Sequence, residues 1–224
     1  MLETVKLPNY SLVGPDTLAA VQQGLTKARW YQSPVPRAKM KELAQRCDGP
    51  ALRDTAIWLG VLVASADGII HFWGSWWVLP FLAVYGVLYG SSGDSRWHEC
   101  GHGTAFKTRW MNNVVYEIAS FMIVRNPTLW RWSHTRHHTD TYIIGHDPEI
   151  VGIRPPKLVK WLGFYVGLTD VPLLFWAMIR HAGGTLSADE KTFVPGSERW
   201  SVDRTARIWC LIYICVIAAC IEGV

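Results

Sequence analysis

Residues 54–92 read DTAIWLGVLVASADGIIHFWGSWWVLPFLAVYGVLYGSS, a stretch without a single Lys or Arg. It is too long and too apolar for an ordinary core helix. Divided at Gly74-Ser75 it gives two spans of roughly 17–20 residues, the minimum for crossing ~30 Å of hydrocarbon. The reading is a transmembrane helical hairpin. The chain holds 13 Trp, and many of them flank apolar runs, where interfacial Trp sit.

Charge is distributed around this hairpin. Eight of the 22 Lys and Arg fall in residues 1–53, nine in 93–160 and five in 180–207. None lies in the turn between the two spans. The positive-inside rule then puts the N-terminal part and the region after Ser92 on the cytoplasmic side. The net charge of +4 follows from this bias. No basic stripe or nucleic-acid motif accompanies it, so a nucleic-acid partner is not expected. The first residues lack an apolar core behind a basic start and do not read as a signal peptide. The five Cys (47, 100, 210, 215, 220) have no metal-ligand spacing.

The expected fold is all-α, a multi-pass helical membrane protein with a cytoplasmic helical cap. Residues 1–53 form a cytoplasmic segment with a short amphipathic helix over 37–47, ended by Asp48-Gly49-Pro50. The hairpin occupies 54–92 and the cap 93–160. Within the cap, 93–113 continues the second span, 114–124 is a short apolar helix, and Asn126-Pro127 breaks it before a new helix. Residues 161–205 hold an interfacial helix, over 161–180, and a charged loop. Residues 206–224 begin a further transmembrane helix.

The cap carries five of the eight histidines in two clusters: His98-Glu-Cys-Gly-His102 and His134-Thr-Arg-His137-His138. The spacings are i,i+4 and i,i+3,i+4, so on a helix each cluster faces one way. Five convergent imidazoles exceed the needs of one structural zinc and suit a redox iron site. His146, eight residues beyond the second cluster, is a candidate further ligand. Asp147 is a candidate to orient a ligand imidazole, and so is Glu99. Asn112 or Asn113 is a candidate to hold a metal-bound water. His71 reads as an interfacial residue and His181 as a surface one. Three other readings stand beside this one. Solvated helix ends without metal would use none of the imidazoles. His98-Glu99-Cys-Gly-His102 also satisfies the H-E-x-x-H pattern of zinc metallopeptidases, with Glu99 as general base. Gly101 weakens that helix, and the second cluster would be surplus to a single zinc. The third is an inactive fragment that only interacts.

These residues carry a resemblance. His98-Glu-Cys-Gly-His102-Gly103, the Trp110-Met-Asn112 after it, and Trp130-Arg-Trp132-Ser-His134-Thr-Arg-His137-His138 resemble the first two histidine boxes of the integral-membrane fatty acid desaturase and hydroxylase superfamily. The hairpin just before the first box matches too, and the likeness covers residues 50–150. It implies that His98, His102, His134, His137 and His138 bind two non-haem irons that use O2 to desaturate an acyl chain. Hydroxylation of an acyl or alkane-like substrate by the same centre is the alternative. It also implies a substrate in the bilayer and electrons from an external donor, a ferredoxin or a cytochrome b5. The superfamily's third box is not found in this sequence, so the expectation is an N-terminal fragment in which five histidines are fewer ligands than two irons need.

Overall fold

The structure, a computed structural model, describes residues 7–27, 31–93, 95–150, 154–165 and 167–222. The described residues contain helices and no strand. Two compact units share the chain. One is made of residues 32–125, the other of the N-terminal residues up to 31 together with residues from 126 onward.

In the first unit, α2 (Arg37–Leu43) precedes α3 (Asp48–His71), α4 (Val78–Gly90), α5 (Ser95–Gly101) and α6 (Arg109–Met122). The hairpin is α3 and α4 joined at Phe72–Trp77, where Gly74 takes φ +84°. Trp73, Trp76 and Trp77 in this turn are strongly exposed. The helix expected over 37–47 stops earlier, at Leu43, and Asp48-Gly49-Pro50 does not end it but starts α3. Pro50 lies in the first turn, where a missing N–H costs nothing, and Asp48 meets the positive end of the helix dipole. The Asp48 carboxylate accepts from Thr108 N (2.8 Å) and Thr108 Oγ1 (2.6 Å), and these bonds hold its pKa below the usual value. They tie the start of α3 to the start of α6.

The two legs pack closely. Trp58 is buried and donates from Nε1 to the Leu88 carbonyl at 2.9 Å, while the Arg96 guanidinium lies 4.9 Å over its ring. Phe72 and Phe81 stack at 5.3 Å. A Cβ on Gly68 would stand 2.3 Å from the Phe81 ring, whereas one on Gly60 would meet open space. Gly68→Ala is therefore expected to lower stability by about 1–3 kcal/mol through overpacking. Gly60→Ala should be neutral or stabilising through helix propensity. Thermal midpoints of the two variants in one detergent check this; equal midpoints would rule out the close contact.

The second unit holds α1 (Pro15–Gln22), α7 (Pro127–Asp140), α8 (Leu158–Tyr165), α9 (Asp170–Ala182) and α10 (Arg199–Glu222). Asn126 caps α7, its Oδ1 accepting from Leu129 N at 3.2 Å, with Pro127 in the first turn. Its amide Nδ2 donates to the Val202 carbonyl at 3.0 Å, and Thr128 and Ser201 hydroxyls meet at 2.9 Å, so the head of α7 is fastened to α10. Leu186, Val194 and Val202 form a buried cluster on which Leu129 and Phe193 pack.

Three expectations change here. Residues 93–113 do not continue α4, because a 3-10 turn at Ser91–Gly93 separates it from α5. Residues 161–180 are not one helix: the chain breaks around Gly167, which has φ +71°. Asp170 and Pro172 then fall in the first turn of α9, where both are favourable rather than disruptive. His181 is not a surface residue but 3 % exposed, with Nε2 3.0 Å from Glu190 Oε1.

Among the described residues one helical stretch, Gly196–Glu222, is long and apolar enough to cross a bilayer by length and composition. Val78–Gly90 is apolar but shorter. Gly223 and Val224, the end of the further span expected over 206–224, lie outside the described residues.

Candidate metal centre and family

The first histidine cluster is carried by α5. This helix buries Trp97 and Cys100 against α6, where Trp97 Nε1 donates to Ser120 Oγ at 3.0 Å. The opposite face presents His98 and His102, with ring centroids 4.7 Å apart. Gly103 ends the helix at φ +67°, and Thr104 N reaches back to the Glu99 carbonyl at 2.9 Å. Thr104 Oγ1 also donates to Glu99 Oε2 at 2.8 Å, and this bond first of all keeps the Glu99 carboxyl ionised below its usual pKa. The other oxygen, Oε1, lies 3.5 Å from His98 Nδ1. Burial pushes the Cys100 thiol up to about 11, and the side chain lies on the buried face of α5 rather than with His98 and His102. Asn112 is not aimed at a metal-bound water. Its Oδ1 accepts from Phe106 N (3.0 Å) and its Nδ2 donates to the Phe106 carbonyl (2.9 Å), closing the loop after the cluster.

The second cluster lies on α7, and the loop behind it supplies the carboxylates that face it. His134 stacks on the buried Trp130 ring at 4.1 Å. Its Nδ1 is 2.7 Å from Glu149 Oε2, and Glu149 Oε1 also accepts from Ser133 Oγ at 2.7 Å. His137 Nδ1 is 2.9 and 3.0 Å from the two oxygens of Asp147. Asp147 is 3 % exposed and further accepts from Tyr142 N and Glu149 N, both at 2.8 Å. With each Nδ1 facing a carboxylate, the proton belongs there and the lone pair is left on Nε2. His134 Nε2 and His138 Nε2 stand 3.0 Å apart.

His146 does not join this group. Its Nε2 lies 3.0 Å from the Thr17 carbonyl, to which only a protonated nitrogen can bond, and its Nδ1 is 3.6 Å from Asp140. The residue missed by sequence reasoning is Glu149. It stood in view in His146-Asp147-Pro-Glu149, but no periodicity links it to His134, and only the loop brings them together.

This donor set fits a first-row transition metal: imidazoles oriented by carboxylates at Nδ1, with two Nε2 atoms converging. A family model for fatty acid desaturases matches residues 71–221. The chain belongs to the fatty acid desaturase family. It is 28% identical over 145 residues to an sn-1 acyl-lipid omega-3 desaturase (ferredoxin) of Synechocystis, covering 61% of this chain and 40% of that one. It is 26% identical over 157 residues to the Nostoc protein of the same description, covering 67% and 42%. A soybean endoplasmic-reticulum omega-6 fatty acid desaturase is 31% identical over 86 residues, covering 37% and 22%. The chain thus spans less than half the length of these relatives. No solved structure matches it.

Proposed function

We propose that this chain carries the first two histidine boxes of an O2-dependent acyl-lipid desaturase. His98 and His102, with His134, His137 and His138, together supply ligands to two non-haem irons. When bound, the irons would provide the oxidising power, drawn from O2, that removes hydrogens from an acyl chain. The protein's own part is to present neutral imidazoles. Asp147 and Glu149 hold the Nδ1 protons of His137 and His134, and Glu99 stands beside His98 Nδ1. His146 has no place in this ligand set. The observation that carries the reading is the pair of carboxylate-fixed imidazoles beside the converging Nε2 atoms of His134 and His138, in a chain of this family.

The names of the relatives support desaturation over hydroxylation, and two of them name ferredoxin, which supports a ferredoxin-type donor here. The substrate is an acyl chain held in the bilayer. In this reading α3 and α4 form a membrane hairpin within 54–92, and 206–224 belongs to a further span. Residues 1–53 and 93–160 then face the cytoplasm, and 161–205 lies at the interface. At 24 residues α3 is about 36 Å long, but 13 residues of α4 give only about 20 Å. The second leg therefore crosses only with its flanking turns.

Metal analysis of the chain, purified in detergent from iron-supplemented cells, tests the proposal. Bound iron is expected, up to two per chain. One tight zinc and no iron would overturn it in favour of a peptidase. Glu99→Gln should then abolish peptide hydrolysis, whereas in the desaturase reading it only weakens metal binding.

A further inference from the structure

Thr17 lies more than a hundred residues before the second box, yet it is packed against the loop that supplies that box's carboxylates. Its Oγ1 donates to the Gly145 carbonyl at 3.0 Å and contacts the Leu12 carbonyl at 3.1 Å. Its own carbonyl receives His146 Nε2 at 3.0 Å. The fit leaves no room: a Cβ on Gly145 would stand 2.6 Å from Thr17 N, and Gly145 has φ +79°. The N-terminal segment is anchored again just before this contact. Ser11 Oγ and Leu12 N both donate to Asp189 Oδ1, at 2.9 and 3.0 Å, and Arg154 N donates to the Tyr10 hydroxyl at 3.0 Å.

Between Asp140 and Glu149 the loop has little regular structure of its own. It is held by short turns, in which His146 N and Asp147 N both bond the Ile143 carbonyl, and by an exposed Tyr142 at φ +61°. A non-glycine residue in that conformation persists only where its surroundings enforce it. Asp147 and Glu149, two and four residues beyond Gly145, are the partners of His137 and His134. Small shifts at Gly145 therefore reach both imidazoles through their Nδ1 bonds.

We infer that Thr17 and His146 are positioning residues that lock the loop 141–149 against the N-terminal segment, and so fix which nitrogens of His134 and His137 are available to a metal. The inference rests on the proposed metal centre for its consequence, but the lock itself is independent of any metal.

The test uses the whole chain in detergent with Thr17→Val, Thr17→Ser and His146→Leu. Amide exchange over residues 141–149, read by mass spectrometry, reports the bonds from Tyr142 N and Glu149 N to Asp147. Cobalt(II) titration reports affinity, and its visible bands report the ligand set. Thr17→Val should speed exchange and weaken cobalt binding about tenfold, the lower end of the effect of losing an outer partner of a metal ligand. Thr17→Ser, which keeps the donor, should restore the wild-type rate, affinity and spectrum. His146→Leu should behave like Thr17→Val. Unchanged exchange in both Thr17→Val and His146→Leu would overturn the lock. Loss of cobalt in His146→Leu with exchange intact would also overturn it, making His146 a ligand. Should wild type bind no cobalt, the metal centre fails, and the exchange rates alone still decide for or against the lock.

Discussion

A chain with alanine at position 137 is expected to keep its helical content and lose most of its metal. Asp147→Asn should retain metal with an affinity about 10–100-fold lower. Both follow from one arrangement. His137 gives its Nδ1 to a carboxylate with 0 % side-chain exposure, and that carboxylate also accepts two backbone N–H groups. In the proposed centre, removing the imidazole removes a ligand outright. Replacing the carboxylate by an amide keeps its volume but turns an –NH2 toward at least one donor, since Tyr142 N, Glu149 N and His137 Nδ1 all need acceptors. The loop relaxes, and His137 becomes free to carry its proton on Nε2, where it blocks the metal. Chelator competition on purified variants measures both effects. Wild-type affinity in His137→Ala would remove it from the ligand set. Wild-type affinity in Asp147→Asn would mean that the carboxylate supports the loop but not the imidazole. Glu149→Gln should resemble Asp147→Asn more weakly, because Glu149 is partly exposed and is shared by His134 and Ser133.

Much of this was legible before the structure because it is written in local periodicity. The imidazoles of each box share a helix face by spacing alone, and Gly74 marks the hairpin turn because a glycine at positive φ allows it. What escaped depends on contacts without a period. Asp48-Gly49-Pro50 reads as a breaker, yet α2 has already stopped at Leu43 and these residues open α3, since an acidic residue and a proline suit a first turn. Asp170 and Pro172 read as defects in one long helix, whereas Gly167 makes two, and both residues become starting residues. The Glu149–His134 and His146–Thr17 contacts each join one loop to a helix, 15 and 129 residues apart, and nothing in the loop announces its partner. His181 looked exposed because the polar residue that permits its burial, Glu190, follows in the next loop.

That last pair makes the fold sensitive to acid. Burial alone would raise the Glu190 carboxyl, but the hydrogen bonds from His181 and from Ser187 N (2.6 Å) outweigh it, with the His181 charge adding to them, and lower the pKa from 4.5 to about 2. The folded value lies below the unfolded one. The stabilisation is therefore complete above about pH 4.5 and disappears as pH falls through the window down to about 2. A shift of this size corresponds to about 3 kcal/mol. For a chain of this length that moves the thermal midpoint by roughly 6–12 °C. Glu190→Gln should lose this contribution at neutral pH, and its midpoint should vary less than wild type between pH 5 and pH 2. Parallel curves for the two proteins across that range would show that the pair contributes nothing. The loop it holds carries Leu186 and Val194, which with Val202 of α10 make the cluster under Leu129 in the first turn of α7. Protonating Glu190 thus loosens the support of the helix that carries the second box. In the proposed centre, acid release of metal should then begin at a higher pH in Glu190→Gln than in wild type, although the partners of Glu190 are His181, Ser187 and Arg180.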